Sequence, residues 1–363
     1  VPLLQECREL LGAADPSRLE ANCLTQLGYA LSEGGALEAG LEVELQALEV
    51  ERALAGTDST QGISTMYNNI ATSYYTLGEF EKADSLYRRA LAIDEHRLPD
   101  HHSTLAKAYG SLGSTNSVLG RYDEAVEFYR KAVEVLARGD TTAQYVTNVL
   151  YSLANTELAM GDFDAAQRTF DRLLAGRRLL LGPDHPNTLM TEGAYGGLMF
   201  EQGKIQEAKA WFEDVLQRKA EVFGTAHPRY ANSMSRLALV ELAAGEPSAA
   251  LRHAREAQQT WSEVLPDHYV HGRIWTILGD ILAATDQTED AIDAYRTGLG
   301  YLQPTLPERH MLVADAQLGL ARALQTAGTA PAEADSLEQA GRATLIDLHG
   351  LEHPRTRRML RGT

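Results

Sequence analysis

The segment YNNIATSYYTLGEFEKADSLYRRALAI, Tyr67–Ile93, decides the fold. Its first half carries residues at the i, i+3, i+4, i+7 spacing of one helical face, namely Tyr67, Ile70, Ala71 and Tyr74. Gly78 then predicts a helix end, because glycine adopts the left-handed conformation at little cost. The second half resumes the helical period at Phe80, Ala83, Tyr87 and Ala90. The segment therefore predicts two helices joined by a tight turn.

The same pattern recurs along the chain with a period of 41 to 43 residues. The turn positions are Gly35, Gly78, Gly120, Gly161, Gly203, Gly245 and then Asp286. A small residue lies seven positions before each turn, at Gly28, Ala71, Gly113, Ala154, Gly196, Ala238 and Gly279. Another lies five positions after it, at Gly40, Ala83, Ala125, Ala166, Ala208, Ala250 and Ala291. Four residues further on an aromatic is usual, at Tyr87, Tyr129, Phe170, Phe212 and Tyr295, with Glu44 and Ala254 as exceptions. The small residues let two helices approach, and the aromatic ring fills the groove between them.

A histidine also recurs once in most repeats, as in LGPDHPNTL, Leu181–Leu189. The copies are His101, His185, His227, His268, His310 and His353. Stacked helix pairs lie roughly 10 Å apart, so histidines spaced by repeats cannot share one metal ion. We expect a turn-and-cap role, with Pro186 and Pro228 in the first turn of a helix and capping oxygens from Asn187 or Thr188. We assign no metal to the neighbouring pair His101–His102.

The composition limits the partners and the compartment. The 363 residues carry a formal net charge of −17, which disfavours nucleic acid and anionic membrane surfaces as partners. No apolar run approaches the roughly 20 residues that span a bilayer. Two cysteines, Cys7 and Cys23, favour a reducing, cytoplasmic setting, and whether they pair is left open. The chain begins without methionine, so we expect a segment of a longer protein or a processed one.

These motifs resemble the tetratricopeptide repeat (TPR) family, whose signature RYDEAVEFYRKAVEVL, Arg121–Leu136, matches closely. The period near 42 residues and the GPDHP linker are similar to the kinesin-light-chain-like branch. The resemblance implies an all-α fold, a right-handed α-solenoid of about eight helix-turn-helix repeats, with residues 1–17 as a leading helix or cap. The predicted repeats within residues 18–363 are 18–60, 61–102, 103–143, 144–186, 187–228, 229–269, 270–311 and 312–363.

No catalytic, cofactor or metal site is predicted. The segment GGLMFEQGKI, Gly196–Ile205, is only faintly similar to a phosphate-binding loop, and it falls between two helices without the preceding strand that such a loop needs. The sequence holds no G-x-S-x-G, HExxH or C-x-x-C motif. We therefore expect that this segment is not an enzyme, although a full-length protein could carry a catalytic domain.

The family resemblance implies that the first helix of each repeat lines a concave groove. The residues predicted to contact a peptide or partner there are Asn22, Tyr29, Asn68, Tyr75, Lys107, Asn148, Tyr151, Asn155, Phe200, Asn232 and Arg273. Asparagine offers a donor and an acceptor, so a row of asparagines can hold an extended backbone. The carboxylate clamp of chaperone-binding relatives is not assembled, because Lys107 and Arg273 lie four repeats apart. A C-terminal carboxylate ligand is therefore not expected.

Three functions follow as hypotheses. The first is a protein-interaction scaffold that holds a peptide or partner segment in its groove. The second is the C-terminal regulatory or sensor region of a larger bacterial signalling enzyme, a Ser/Thr kinase or caspase-like protease, or of a transcriptional regulator. The upstream reading frame would decide between these two. The third is self-association, either through the ends of the solenoid or through an acidic N-terminal face that meets the basic stretch Arg355, Arg357, Arg358 and Arg361. Light scattering would test it.

Overall fold

The computed structural model describes residues 17–57, 59–139, 143–264, 270–304, 306, 308–350, 356 and 359. Contacts within the chain divide it into two compact units, Val1–Leu153 and Ala154–Thr363. Among the described residues every regular element is a helix, which confirms the predicted all-α fold. The predicted leading helix or cap lies outside the described residues except for Ser17, as do Cys7 and the basic stretch near the C-terminus. The predicted repeat limits stay predictions.

The described helices follow one another as eight pairs of a first and a second helix. Those that begin in the first unit are α1 (Arg18–Glu33), α2 (Leu37–Ala55), α3 (Gln61–Thr76), α4 (Phe80–Arg97), α5 (Ser103–Val118), α6 (Tyr122–Arg138) and α7 (Ala143–Ala159), which crosses the boundary between the units. The second unit continues with α8 (Phe163–Leu181), α9 (Pro186–Glu201), α10 (Ile205–Phe223), α11 (Pro228–Ala243), α12 (Pro247–Val264), α13 (Val270–Ala284), α14 (Thr288–Leu302), α15 (Met311–Ala327) and α16 (Pro331–His349).

The turn inside each pair has the left-handed backbone that the sequence predicted. The repeated glycines have φ between 75° and 84°, as at Gly120 and Gly35. Asp286 takes the same conformation with φ of 59°. An L-residue pays a steric penalty in this region that glycine avoids, and a short polar side chain reduces it. The left-handed backbone of the turn therefore favours glycine, and Asp286 shows that a short polar residue can replace it.

Substitutions at Asp286 and Gly245 should change the free energy of unfolding in opposite directions. Asp286→Gly should raise the free energy of unfolding by about 1 kcal/mol, because it relieves the left-handed strain. Gly245→Ala, at φ of 80°, should lower it by about 1 kcal/mol. Chemical unfolding followed by circular dichroism measures both. If both variants changed the free energy of unfolding in the same direction, the left-handed strain at these turns would not explain their stability.

The small and aromatic positions pack as predicted. Ala83, Ala125, Ala166, Ala208, Ala250 and Ala291 are fully buried. The aromatic residues Tyr87, Tyr129, Phe170, Phe212 and Tyr295 are buried in the same pairs. A Cβ added to Gly113 would lie 2.7 Å from the ring of Tyr129, and one added to Gly279 would lie 2.8 Å from that of Tyr295. The ring therefore occupies the space that the missing side chain leaves.

Glu44 replaces the aromatic residue in the first pair, and it is buried there with 5% exposure. Its Cγ lies 2.6 Å from the place where Gly28 would carry a Cβ, so the same groove is filled by a carboxylic side chain. Ser73 donates its hydroxyl to Oε2 of Glu44 at 2.6 Å. Burial raises the pKa of Glu44, and the hydrogen bond from Ser73 opposes part of that rise. Glu44 thus fills the same groove as the aromatic residues of the other pairs, but it places a carboxylic group there instead of a ring.

The recurring histidines cap the first helices. His102, His185, His227 and His310 each precede a first helix and accept a hydrogen bond at Nδ1 from the N–H two residues later, at 3.0 to 3.2 Å. The cap role is therefore confirmed, but two details of the prediction were wrong. The acceptor is the ring rather than a side-chain oxygen of Asn187 or Thr188, since the Thr188 hydroxyl donates to the Gly182 carbonyl. In the doublet, His102 and not His101 is the cap. His268 and His353 lie outside the described residues.

Candidate partner-binding surface

The first helices of successive pairs lie against one another within each unit. In the second unit, α9 contacts α11, α11 contacts α13, and α13 contacts α15. In the first unit, the hydroxyl of Thr25 on α1 lies 3.5 Å from Sδ of Met66 on α3. Tyr145 on α7 donates to the carbonyl of Ala106 on α5 at 3.4 Å. The odd-numbered helices, which contact one another as α1–α3 and α5–α7 in the first unit and from α9 to α15 in the second, are called here the first-helix layer.

The partner-binding residues predicted in the first unit all lie on this layer, but they differ in exposure. Asn22, Tyr29, Lys107 and Asn148 are exposed, whereas Asn68, Tyr75 and Tyr151 are half-buried. Asn68 donates Nδ2 to the Ser64 carbonyl of its own helix at 3.1 Å. The ring of Tyr75 packs edge-to-face on Phe80, with 5.2 Å between centroids. The exposed residues are thus the better placed to reach a partner.

The predicted residues of the second unit lie on α7, α9, α11 and α13, again on first helices. Asn155, Phe200, Asn232 and Arg273 are all half-buried. Phe200 packs against the core cluster that contains Ala208 and Phe212. The structure therefore places every predicted residue on the expected helices, and it gives Phe200 a packing contact that the sequence did not reveal.

In three helix pairs the buried tyrosine hydroxyl forms a hydrogen bond with a polar side chain of the first helix, which the sequence analysis did not predict. The hydroxyl of Tyr87 lies 2.9 Å from that of Thr72, and Tyr129 donates to Ser114 at 3.0 Å. Tyr295 donates to Oδ1 of Asp280 at 2.7 Å. Each partner stands one residue after the small residue of the first helix. The sequence contained a signal for this pairing, because the residue at that position varies with the ring. Repeats with tyrosine carry Thr72, Ser114 or Asp280 there, whereas the repeats with Phe170 and Phe212 carry Asn155 and Gly197.

A cavity of about 480 Å³ opens between α1 and α3 in the first-helix layer. Its lining includes Asn22 and Thr25 from α1, and Thr65 and Met66 from α3. Glu51 from the end of α2 also lines it, with both carboxylate oxygens at 2.5 and 2.7 Å from Nη1 of Arg18. One predicted contact residue, Asn22, therefore lines this concavity together with the Arg18–Glu51 pair.

Glu51 belongs to a second repeated position, which lies 16 residues after each turn residue and is called here the floor position. Its members are Glu51, Asp94, Leu136, Arg177, Lys219, Trp261 and Leu302, and all are buried. The side chain lies beneath the first-helix layer, between the first helix of its own pair and that of the next. For example, Nη1 of Arg177 donates to the Asn187 carbonyl of α9 at 2.8 Å. The floor position is thus acidic in the first two pairs, apolar in the third, basic in the fourth and fifth, and apolar again in the sixth and seventh.

The floor residue Lys219 carries a charge that its surroundings perturb. It is 5% exposed, and Nζ donates to the Ser233 hydroxyl of α11 at 2.6 Å. Among the described residues, the hydrogen-bond partner of Lys219 is this hydroxyl and not a carboxylate. Burial, together with the neighbouring Arg236 and Arg229, lowers the pKa of Lys219 to about 7, while Glu192 opposes that shift. A buried ammonium group therefore faces other cations without a carboxylate in contact.

Glu192 itself is engaged by two arginines. It is completely buried on α9, and its Oε1 accepts from Nη2 of Arg178 at 2.7 Å. Its Oε2 accepts from Nη2 of Arg218, which also pairs with Asp214. Glu192 thus binds one arginine through each oxygen, whereas the hydrogen bond of Lys219 goes to Ser233.

The perturbed pKa of Lys219 predicts a pH-dependent stability. The unfolded lysine keeps its proton up to a pKa near 10.5, whereas the folded one releases it near 7. The unfolded chain binds more protons between these values, so the contribution of Lys219 to stability rises with pH. Lys219→Met removes this contribution, and the stability of the variant relative to wild type should fall by about 2 kcal/mol from pH 7 to pH 9.

Urea unfolding at several pH values measures this difference. Lys209→Met on the same helix is the control, because hydrogen bonding to Glu246 raises the pKa of Lys209 and keeps it protonated over this range. A difference between wild type and Lys219→Met that is constant from pH 7 to pH 9 would show that the folded lysine keeps its proton.

The described residues include neither a metal-binding cluster nor a helix that could cross a membrane. No group of three or more histidine, cysteine, aspartate or glutamate side chains in that part of the chain is arranged to hold a metal ion. None of the described helices combines the length and the apolar character needed to cross a bilayer.

The geometry and the repeat pattern agree with the family comparisons. A tetratricopeptide repeat family model matches residues 62–138, 145–221 and 192–263, and a second one matches residues 235–307. These ranges cover more than half of the chain. The chain therefore belongs to the tetratricopeptide repeat family, whose fold is typical of protein–protein interaction.

The relatives support the predicted branch of the family. The chain is 22% identical over 283 residues to the protein KINESIN LIGHT CHAIN-RELATED 1 of Arabidopsis thaliana, covering 77% of this chain and 46% of that protein. The chain spans less than half the length of each of two kinesin light chain-related proteins of Arabidopsis thaliana that it resembles. The similarity to kinesin-light-chain-like repeats is therefore confirmed.

Two solved structures share the solenoid fold. BtubC (BKLC) from P. vanneervenii has a TM-score of 0.52 and 23% identity, covering 63% of this chain and 92% of that chain. The apo form of the quorum sensor NprR from B. thuringiensis has a TM-score of 0.64 and 13% identity, covering 96% of this chain and 92% of that chain. These likenesses confirm the predicted fold class.

Proposed function

We propose that this chain is a non-catalytic scaffold that holds an extended peptide or partner segment along the first-helix layer. The observation that carries the proposal is the cavity between α1 and α3, where polar side chains of two successive first helices meet around a charged floor residue. A preformed concave surface loses little entropy on binding, so many weak contacts can add up to useful affinity.

The polar character of the layer supports a backbone-binding mode. Asn22, Lys107 and Asn148 are exposed on α1, α5 and α7. The asparagine amide donates and accepts, which matches the alternating groups of an extended peptide. The net charge of −17 favours a protein partner over nucleic acid. One structural neighbour is a quorum sensor, and its likeness to this chain supports the fold alone.

A double substitution on α7 tests the proposal. Asn148→Ala with Asn155→Ala should weaken partner capture roughly tenfold, because two hydrogen bonds of about 1 kcal/mol each are at stake and replacement by water recovers part of that energy. Pull-down of partners from cell lysate, followed by titration of the identified segment, measures the change. Circular dichroism should show an unchanged helical signal.

The matched control removes two amides from a second helix. Gln258→Ala with Gln259→Ala lies on α12, away from the first-helix layer, and should leave capture unchanged. Equal capture by the α7 variant and the wild type would refute the surface assigned here. Equal losses in both double variants would indicate a general effect rather than a contact.

The second hypothesis, a regulatory region of a larger bacterial signalling enzyme or transcriptional regulator, stays compatible with this binding mode. The part of a kinesin light chain-related relative that aligns with this chain is under half of that protein. Reading the coding sequence on either side of this segment decides the point, since a kinase or protease signature there would establish the regulatory reading.

A further inference from the structure

The cavity between α1 and α3 is lined by two oppositely charged residues that differ sharply in exposure. The side chain of Glu51 is 6% exposed, whereas that of Arg18 is 66% exposed. Nη1 of Arg18 donates to both carboxylate oxygens of Glu51, at 2.5 and 2.7 Å. The acid of this pair therefore belongs to the packed interior, while the base reaches it from the exposed surface of α1.

The carboxylate of Glu51 is held in place by the start of α3. A Cβ added to Gly62 would overlap Oε1 of Glu51, so the carboxylate occupies the space that this glycine leaves. Gly62 is the second residue of α3, and the N-terminus of a helix favours a negative charge. If Arg18 leaves, water solvates its exposed guanidinium group, but the buried carboxylate loses its counter-charge. Such a loss is costly unless another cation takes the same place.

The rest of the lining matches the two parts of a long basic side chain. Ala21 and Met66 are buried and offer apolar surface to its methylene groups. The uncharged polar residues of the lining, whose oxygens can accept from an ammonium or guanidinium group, are Asn22, Thr25, Thr60, Gln61 and Thr65. The volume of about 480 Å³ lies within the range of ligand pockets. The cavity therefore has room for one side chain of a partner.

The helices around the cavity carry an excess of negative charge. Residues 17–57, which form the first helix pair, contain seven glutamates and two arginines, a formal net charge of −5. The next floor residue, Asp94, is also acidic and is 3% exposed. Among the described residues, Oδ2 of Asp94 has no hydrogen-bond partner. The electrostatic field of this part of the chain therefore attracts a cation and disfavours an anion.

We propose that the cavity binds a basic side chain of the partner segment, arginine or lysine, with Glu51 as its counter-ion and Arg18 as the group that it displaces. This inference rests on the proposed function, because the side chain is supplied by the segment held on the first-helix layer. Arg18 pairs with Glu51 until the segment binds and is then released to solvent. One ion pair replaces another, so the buried carboxylate stays paired throughout.

The site is tested first with a single blocked amino acid, Nα-acetyl-arginine amide. Nα-acetyl-citrulline amide is its control, since it has nearly the same shape without the charge. The chain has seven methionines, so ¹³C-methyl-labelled methionine gives few signals, and that of Met66 can be assigned with Met66→Leu. At constant ionic strength we expect the arginine compound to shift the Met66 signal in a saturable manner. The citrulline compound should bind at least roughly tenfold more weakly.

This comparison needs no variant of the binding residues. Equal binding of the arginine and citrulline compounds, or binding of neither, would overturn the site. Nα-acetyl-lysine amide, titrated in the same way, distinguishes the two basic side chains, and the one that binds more tightly is the side chain that the cavity takes.

Substitutions of the two charged residues should change the affinity for the arginine compound in opposite directions. Glu51→Gln keeps the side-chain volume but removes the counter-ion, so we expect affinity to fall at least roughly tenfold. Arg18→Gln removes the internal competitor, so affinity should rise at least roughly threefold. Glu49→Gln is the matched control, because it removes the same charge from an exposed position of α2 and should leave affinity unchanged. A fall in Arg18→Gln would contradict the proposal, since Arg18 would then be the group that holds the ligand.

The failure of this site and the failure of the scaffold function give different results. Saturable binding of the arginine compound, with no capture of a partner segment by the wild type, would keep the cation site and overturn the scaffold function. Equal capture of a partner segment by the wild type and Glu51→Gln, together with equal binding of the arginine and citrulline compounds, would keep the scaffold function and overturn the cation site.

Discussion

Replacing Tyr295 with alanine should lower the free energy of unfolding by about 4 kcal/mol, as is typical of a buried aromatic side chain. Tyr295 is 2% exposed on α14, and its hydroxyl donates to Asp280 of α13. Its ring also lies against Gly279 of its own pair and Gly319 of the next. One side chain therefore holds two successive pairs together, and its loss leaves a cavity at their junction. Urea unfolding followed by circular dichroism measures the change.

A double-mutant cycle separates this packing from a general loss of structure. Gly319→Ala places a methyl group within the van der Waals radius of the Tyr295 ring and should cost about 2 kcal/mol in the wild type. In the Tyr295→Ala background the same methyl group has room, so its cost should nearly vanish. If the stability losses of Tyr295→Ala and Gly319→Ala simply added in the double variant, the close contact between the ring and Gly319 would be contradicted. Tyr295→Phe is the control, with an expected loss of only about 1 kcal/mol from the hydroxyl.

The turns and the packing of each pair could be predicted because the same residue type serves the same role in every copy. Gly78, Ala83 and Tyr87 each have counterparts 41 to 43 residues away, so self-similarity reveals them. Such positions are set by backbone conformation and by the space between two helices. Both constraints are local and identical from one pair to the next, and a single chain therefore displays them several times.

The floor position could not be found in this way. Its members include Glu51, Lys219 and Trp261, which share burial but not chemistry. Self-similarity detects what repeats, whereas specificity depends on what differs between repeats. The alternation of charge at the floor becomes visible only when the backbone shows that these residues lie beneath equivalent parts of the first-helix layer. The histidine caps are intermediate, since the pattern predicted a cap but not that the ring itself is the acceptor.

The proposed contact residues could also be predicted only in part from the sequence. The sequence placed Asn148 and Asn155 on the correct helix, because helical spacing fixes the position of each residue on its helix. It did not reveal that the ring of Tyr75 packs on Phe80 or that Phe200 packs against the core. Those contacts depend on side-chain conformation and on neighbouring elements. By exposure, the first predicted contact residues to mutate are therefore Asn22, Tyr29, Lys107 and Asn148.

Glu192→Ala should lower the free energy of unfolding of the second unit by about 3 kcal/mol, because breaking a buried ion pair leaves its partners with uncompensated charge. Glu192 has no exposed surface, and it accepts from Arg178 of α8 and Arg218 of α10. Three helices thus meet at one carboxylate. The matched control is Asp347→Ala, which breaks an exposed pair with Arg309 and should change stability by less than about 0.5 kcal/mol.

The same substitution has a second consequence that a simple loss of packing would not produce. Glu192 is the acid that opposes the fall in the pKa of Lys219, so its removal should move that pKa further below 7. Glu192→Gln keeps the side-chain volume and should show this shift with a smaller loss of stability. The ¹³C signal of the ε-methylene carbon of Lys219, assigned with Lys219→Met in a protein labelled with ¹³C-lysine, measures it directly in the folded protein. A pKa of Lys219 that stays near 7 in Glu192→Gln would mean that burial and the two arginines of α11 alone determine it, and that Glu192 serves only to join its three helices.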